Sequence, residues 1–157
     1  MAAVTRINRV EVMDRLRRLI EDTSTDPDLE VVLGPPRNPQ QGKVLVIGDV
    51  SGDLTVAHMR SGRKSYDDQF SVEILAIAWD AGGEDHTKCD ADAQSITEHV
   101  RDVVADRPQL ELQYGASGMD GVVAATVGTL DGPNRWWNPE GTGTAMRLTI
   151  EIHVRID

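Results

Sequence analysis

Chemistry is first to be sought in the segment HTKC, His86 to Cys89, because a thiolate with a histidine three residues away could be a nucleophile with its base or half of a metal site. The rest of the chain completes neither reading. Zinc takes four ligands, and Cys89 is the sole cysteine. The other histidines, His58, His99 and His153, are predicted on a strand end, a helix and the polar row of the last strand, and no orienting group stands where a triad would need one. The sequence holds no Gly-rich phosphate loop and no HExxH, and Ser117 in GASGMDG lacks the residues that a strand-elbow serine requires. The expectation is therefore a chain that is not an enzyme, with no catalytic residue, metal or cofactor. A small intracellular enzyme using His86 and Cys89 stays as the alternative from another class.

Two other groups of residues could act by contact. The stretch HMRSGRKS, His58 to Ser65, carries Arg60, Arg63 and Lys64, the one dense positive cluster in a chain of net charge -10. It reads either as a solvated loop or as a contact for an acidic neighbour or for passing DNA. Between Asp80 and Asp106 eight acidic residues face two basic ones, yet DAGGEDHTKCDAD lacks the alternating carboxylates and turn glycine of a calcium loop. So acidic a chain is a poor general nucleic-acid binder, since such affinity comes from neutralising phosphates. The third group is Trp136 and Trp137 in DGPNRWWNPEGTGT. Adjacent residues of an extended segment point to opposite sides, so at least one indole is expected outside the core or docked on a partner.

The elements that would position these residues are legible from periodicity. Gln69 to Asp80 is predicted to be the central strand. Phe70, Val72, Ile74, Ala76 and Ala78 form one apolar row, while the other row starts polar at Ser71 and Glu73 and turns apolar at Leu75, Ile77 and Trp79. Ala145 to Ile156 alternates in the same way through Met146, Leu148, Ile150, Ile152, Val154 and Ile156 and reads as a half-buried strand. Helices are predicted over Val4 to Asp22, with five Arg against four acidic residues, and over Asp90 to Ala105, with Asp90 as N-cap. Leu29 to Leu33, Leu110 to Leu112 and Val122 to Leu130 are strand candidates. Lys43 to Val50 and Leu54 to Met59 are expected to form a hairpin around Ser51-Gly52-Asp53, and Asp131 to Thr144 to form a loop broken by Gly and Pro. At 157 residues and 39% hydrophobic content the chain is one domain long, 1–157, with a core of Val, Ile, Leu and Ala. No apolar run approaches the ~20 residues of a membrane span, and MAAVTRINRV lacks the apolar stretch of a signal peptide, so no membrane contact and a cytoplasmic origin are expected.

This order of parts, with the RKSYDDQFSVEILAIAW strand, the DADAQSITEHVRDVV helix and the ending AMRLTIEIHVRID, resembles the tail terminator proteins of long-tailed bacteriophages. The likeness covers nearly the whole chain and is clearest from Gly62 onward, in the lead-in Arg63 to Tyr66, the run Pro108 to Leu112 and the close at Arg155 and Ile156. The resemblance implies a single-domain α/β (α+β) fold, a mainly antiparallel sheet packed against two helices, with no catalytic residues. It implies a homo-oligomeric ring, usually a hexamer, that sits on the tail tube protein, ends tube growth and offers a surface to the head-tail connector or head completion protein while DNA passes through the lumen. Its place would be the neck region of the virion, after assembly in the host cytoplasm; another neck or minor tail component is the nearest alternative. On this reading Arg60, Arg63 and Lys64 face a partner or the lumen. Trp79, Trp136 and Trp137 would lie at the subunit interface. The Gly82 to Lys88 insert and the paired-Trp loop depart from the family pattern.

Overall fold

The computed structural model describes residues 7–34, 42–60, 63–115 and 120–156. Ser117 and residues 4–6 of the expected first helix lie outside them. Two helices and five strands follow in the order α1 (Arg9–Thr23), β1 (Leu29–Leu33), β2 (Lys43–Arg60), β3 (Arg63–Ala81), α2 (Thr87–Asp106), β4 (Gly121–Asn138) and β5 (Gly141–Ile156). They form an α+β fold whose sheet order is β1-β2-β3-β5-β4, antiparallel throughout except for the short β1, which runs parallel to β2. The central place expected for Gln69 to Asp80 is therefore observed.

The alternation in β3 and β5 sorts the sheet into two faces. Phe70, Val72, Ile74, Ala76 and Ala78 are all buried, and so are Leu148, Ile150, Ile152 and Val154 opposite them in register. Against this face lie Val12, Leu16, Leu19 and Ile20 of α1 and Ala93, Ile96, Val100, Val103 and Val104 of α2, the apolar stripes that the 3.6-residue period sets on one side of each helix. Arg9 locks α1 to the sheet. Its guanidinium donates to both carboxylate oxygens of Asp68, at 2.9 and 2.6 Å, and sits 5.0 Å from the centre of the Phe70 ring.

Several boundaries differ from the sequence expectation, each for a local reason. Helix α1 begins at Arg9 rather than Val4, because the Asn8 side chain accepts from the Glu11 amide and caps it. Helix α2 begins at Thr87, so Asp90 is not its cap; Asp85 accepts from the Thr87 amide, and the Asp90 carboxylate is engaged elsewhere. The hairpin expected around Ser51-Gly52-Asp53 is absent, since β2 runs straight through these residues. Gly52 lies so close against Gln69 and Phe70 that a side chain would collide with them. Leu110 to Leu112 is a turn, with Leu110 and Glu111 in left-handed backbone, and it still buries Leu110. The loop expected over Asp131 to Thr144 is instead β4 running antiparallel to β5, with Gly132 and Pro133 absorbed in an irregularity between Asp131 and Asn134.

Candidate assembly surfaces

The first turn of α2 brings His86 and Cys89 over the start of β5, but not to each other. The Cys89 thiol is 1% exposed and donates to the Thr142 carbonyl at 3.3 Å, and burial pushes its pKa up. A buried, protonated thiol is a poor nucleophile. His86 Nε2 donates instead to the Trp136 carbonyl at 2.9 Å. The same environment fixes Asp90, which takes a two-nitrogen contact from Arg135, at 3.0 and 2.6 Å, and a hydrogen bond from Thr144 at 2.7 Å. The Arg135 guanidinium holds that carboxyl below the usual range. His99 bridges α2 to the end of α1 through the Ile20 carbonyl and the Thr23 hydroxyl, and His153 donates to Asp67. His86, His99 and His153 thus each tie one element to another. Among the described residues no three or more His, Cys, Asp or Glu side chains are grouped as a metal ion would need.

The sheet face turned away from the helices is divided along its length. Toward the start of β3 it is a polar ladder. Asp67 receives His153 at 2.8 Å and Arg155 at 3.0 Å, Ser71 donates to Glu151 at 2.6 Å, and Arg147 pairs with Glu73 at 3.0 Å. The Arg155 hydrogen bond, with His153 adding to it, lowers the Asp67 pKa. Toward the end of β3 the face becomes apolar: Val44, Val46 and Ile77 are buried in a cluster of their own, edged by Val32, Leu75 and Ala145. The two rows had been visible in the sequence. Their pairings had not, because a one-residue change of register would bring different partners opposite.

The three tryptophans separate here. Trp79 and Trp136 are both paired opposite Gly143, so they flank it on the face away from the helices. The Trp136 ring occupies the space that a Gly143 side chain would need, which leaves Trp136 only 37% exposed. Trp137, paired with Thr142, projects from the helix-bearing face and is 66% exposed. The expectation that at least one indole lies outside the core is met by Trp137. What the sequence did not disclose is a glycine, the third residue of β5, serving as the seat of an indole.

Arg60, Arg63 and Lys64 are brought together by the backbone. Arg60 pairs with Arg63 and Met59 with Lys64 at the far end of the β2–β3 ribbon, so residues 58–60 and 63–65 of the expected basic loop are strand. Beneath it Leu54 and Val56, on the helix-bearing side, are 56% and 52% exposed.

Neither a scan against protein-family models nor a search of curated proteins returns a match. Among solved structures, a chain of one described as "Virion of native gene transfer agent (GTA) particle" is similar over 92% of this chain and 91% of that chain, at 18% identity and a TM-score of 0.44.

Proposed function

We propose that this chain is a virion structural protein of a tailed phage or phage-like particle, acting as a tail terminator. On this reading copies close into a ring, of six subunits by the family resemblance, on the finished tail tube. The ring ends tube growth and offers the head connector its docking surface, with DNA passing through the lumen in the neck. The observation that carries the reading is the exposure of the tryptophans where β4 turns into β5. Trp79 is half-buried beside the Trp136 seat, and Trp136 and Trp137 are 37% and 66% exposed, aromatic surface of the kind by which one protein anchors on another. A neighbouring subunit would cover these indoles while the polar ladder stays wet. Trp79 and Trp136 are the proposed interface residues on the face away from the helices, and Trp137 on the other. The tethered histidines and the buried thiol count against the alternative of an enzyme built on His86 and Cys89.

The reading is tested by producing particles without this chain. Tails of uncontrolled length, unattached to filled heads, are expected. Tails of normal length joined to heads would overturn it.

A further inference from the structure

Strand β3 runs the length of the molecule, 19 residues or about 60 Å, and its two ends differ in charge. At its start the β2–β3 ribbon extends past Tyr66, the residue opposite Ile156, so that residues 58–60 and 63–65 pair only with each other among the described residues. This two-stranded arm carries Arg60, Arg63 and Lys64, and no acidic residue falls between Val56 and Tyr66. An isolated ribbon is marginally stable in water. Leu54 and Val56 at its root nevertheless present apolar side chains to solvent.

The other end has the complementary character. The turn between β4 and β5 is held beside the end of β3 by the Gly82 amide, which donates to the Glu140 carbonyl at 2.7 Å, and the Asp85 carbonyl accepts from the Thr142 hydroxyl at 3.1 Å. Glu84, Asp85 and Glu140 are thereby gathered and exposed, with Asp80 nearby offset in part by Lys88 at 4.0 Å. The Asp85 carboxyl, held low by the Thr87 amide, is charged at neutral pH. Trp137 stands at this end and on the same side of the sheet as Leu54 and Val56.

We infer that the arm of one copy docks on the acidic, Trp137-bearing end of the next copy. The occupant is a second copy because this chain itself supplies both halves, opposite in charge and each with exposed apolar side chains, and they stand too far apart to meet within one molecule. Leu54 and Val56 would lie against Trp137, with the three basic residues toward Glu84 and Glu140. Such a contact joins two different patches, which is the head-to-tail geometry that closes rings. The inference rests on the assembly reading above and names the contact that reading leaves open.

Sedimentation of the full-length chain in low salt, where the Debye length is about 30 Å at 0.01 M, tests it by charge reversal. One variant carries Arg60→Glu, Arg63→Glu and Lys64→Glu. A second carries Glu84→Lys and Glu140→Lys, with Asp85 kept because it caps the first turn of α2. Each alone should self-associate at least about tenfold more weakly than wild type, since like charges are brought together. Mixing the two, or combining all five changes in one chain, should restore association. Single variants that associate like wild type, no restoration on mixing, or a wild type monomeric at all concentrations would overturn the contact. The terminator reading is judged separately by tail length, so either can fail without the other.

Discussion

Cys89 lies in the first turn of α2 with its thiol turned into the sheet and hydrogen-bonded to a strand carbonyl, so its pKa is raised and its access closed. In the native protein it should not react with a thiol reagent at pH 7.5, and it should react fully once the chain is unfolded. Cys89→Ser keeps a donor for the Thr142 carbonyl and should remain folded, at a cost of about 1 kcal/mol by denaturant titration. Fast native reaction would revive the enzyme alternative. The Trp136–Gly143 contact makes a second residue-level prediction. Gly143→Ala should destabilise by roughly 1 to 3 kcal/mol because the indole occupies its space. In a Trp136→Ala background the same change should cost much less, and a double-mutant cycle without coupling would contradict the seat.

Between elements the ties are carboxylates: Asp26 to Lys43 beside the root of β1, Asp67 to Arg155 between β3 and β5, and Asp90 to Arg135 between α2 and β4. Each of these carboxyls is held below its ordinary value, first by the hydrogen bond from its basic partner. A depressed carboxyl contributes stability that is complete above its unfolded pKa, about 3.9, and is lost as pH falls through the folded value. The melting temperature should therefore be level from pH 7 to 5 and drop below pH 4, with a shallower drop in Asp67→Asn. An equal drop in that variant would remove Asp67 from the account.

The elements that carry these ties were unequally legible in the sequence. The row Phe70 to Ala78 and the stripe Ala93 to Val104 declared themselves, because burial on one side imposes a strict period. Turn chemistry misled at Gly52 and at Asp131 to Thr144. There Gly and Pro mark close backbone approach and a strand irregularity, and only the neighbouring strands distinguish these from turns. The separation of His86 from Cys89 was invisible for the same reason: both bond to strands distant in sequence.

At the scale of the whole molecule, the long β3 carries a basic arm at one end and, at the other, an acidic end where Trp136 and Trp137 are exposed. On the proposed reading these are the surfaces that neighbouring copies cover. The most direct measurement of the proposed role mixes the purified chain with tail tubes of a tailed particle encoded beside it and images the tube ends by cryo-electron microscopy. The account predicts one closed ring of this chain on the tube end, with tube growth stopped on adding free tube subunits, and a weakened ring in the paired Trp79→Ala and Trp136→Ala variant. Bare tube ends that keep elongating in the presence of excess chain would contradict it.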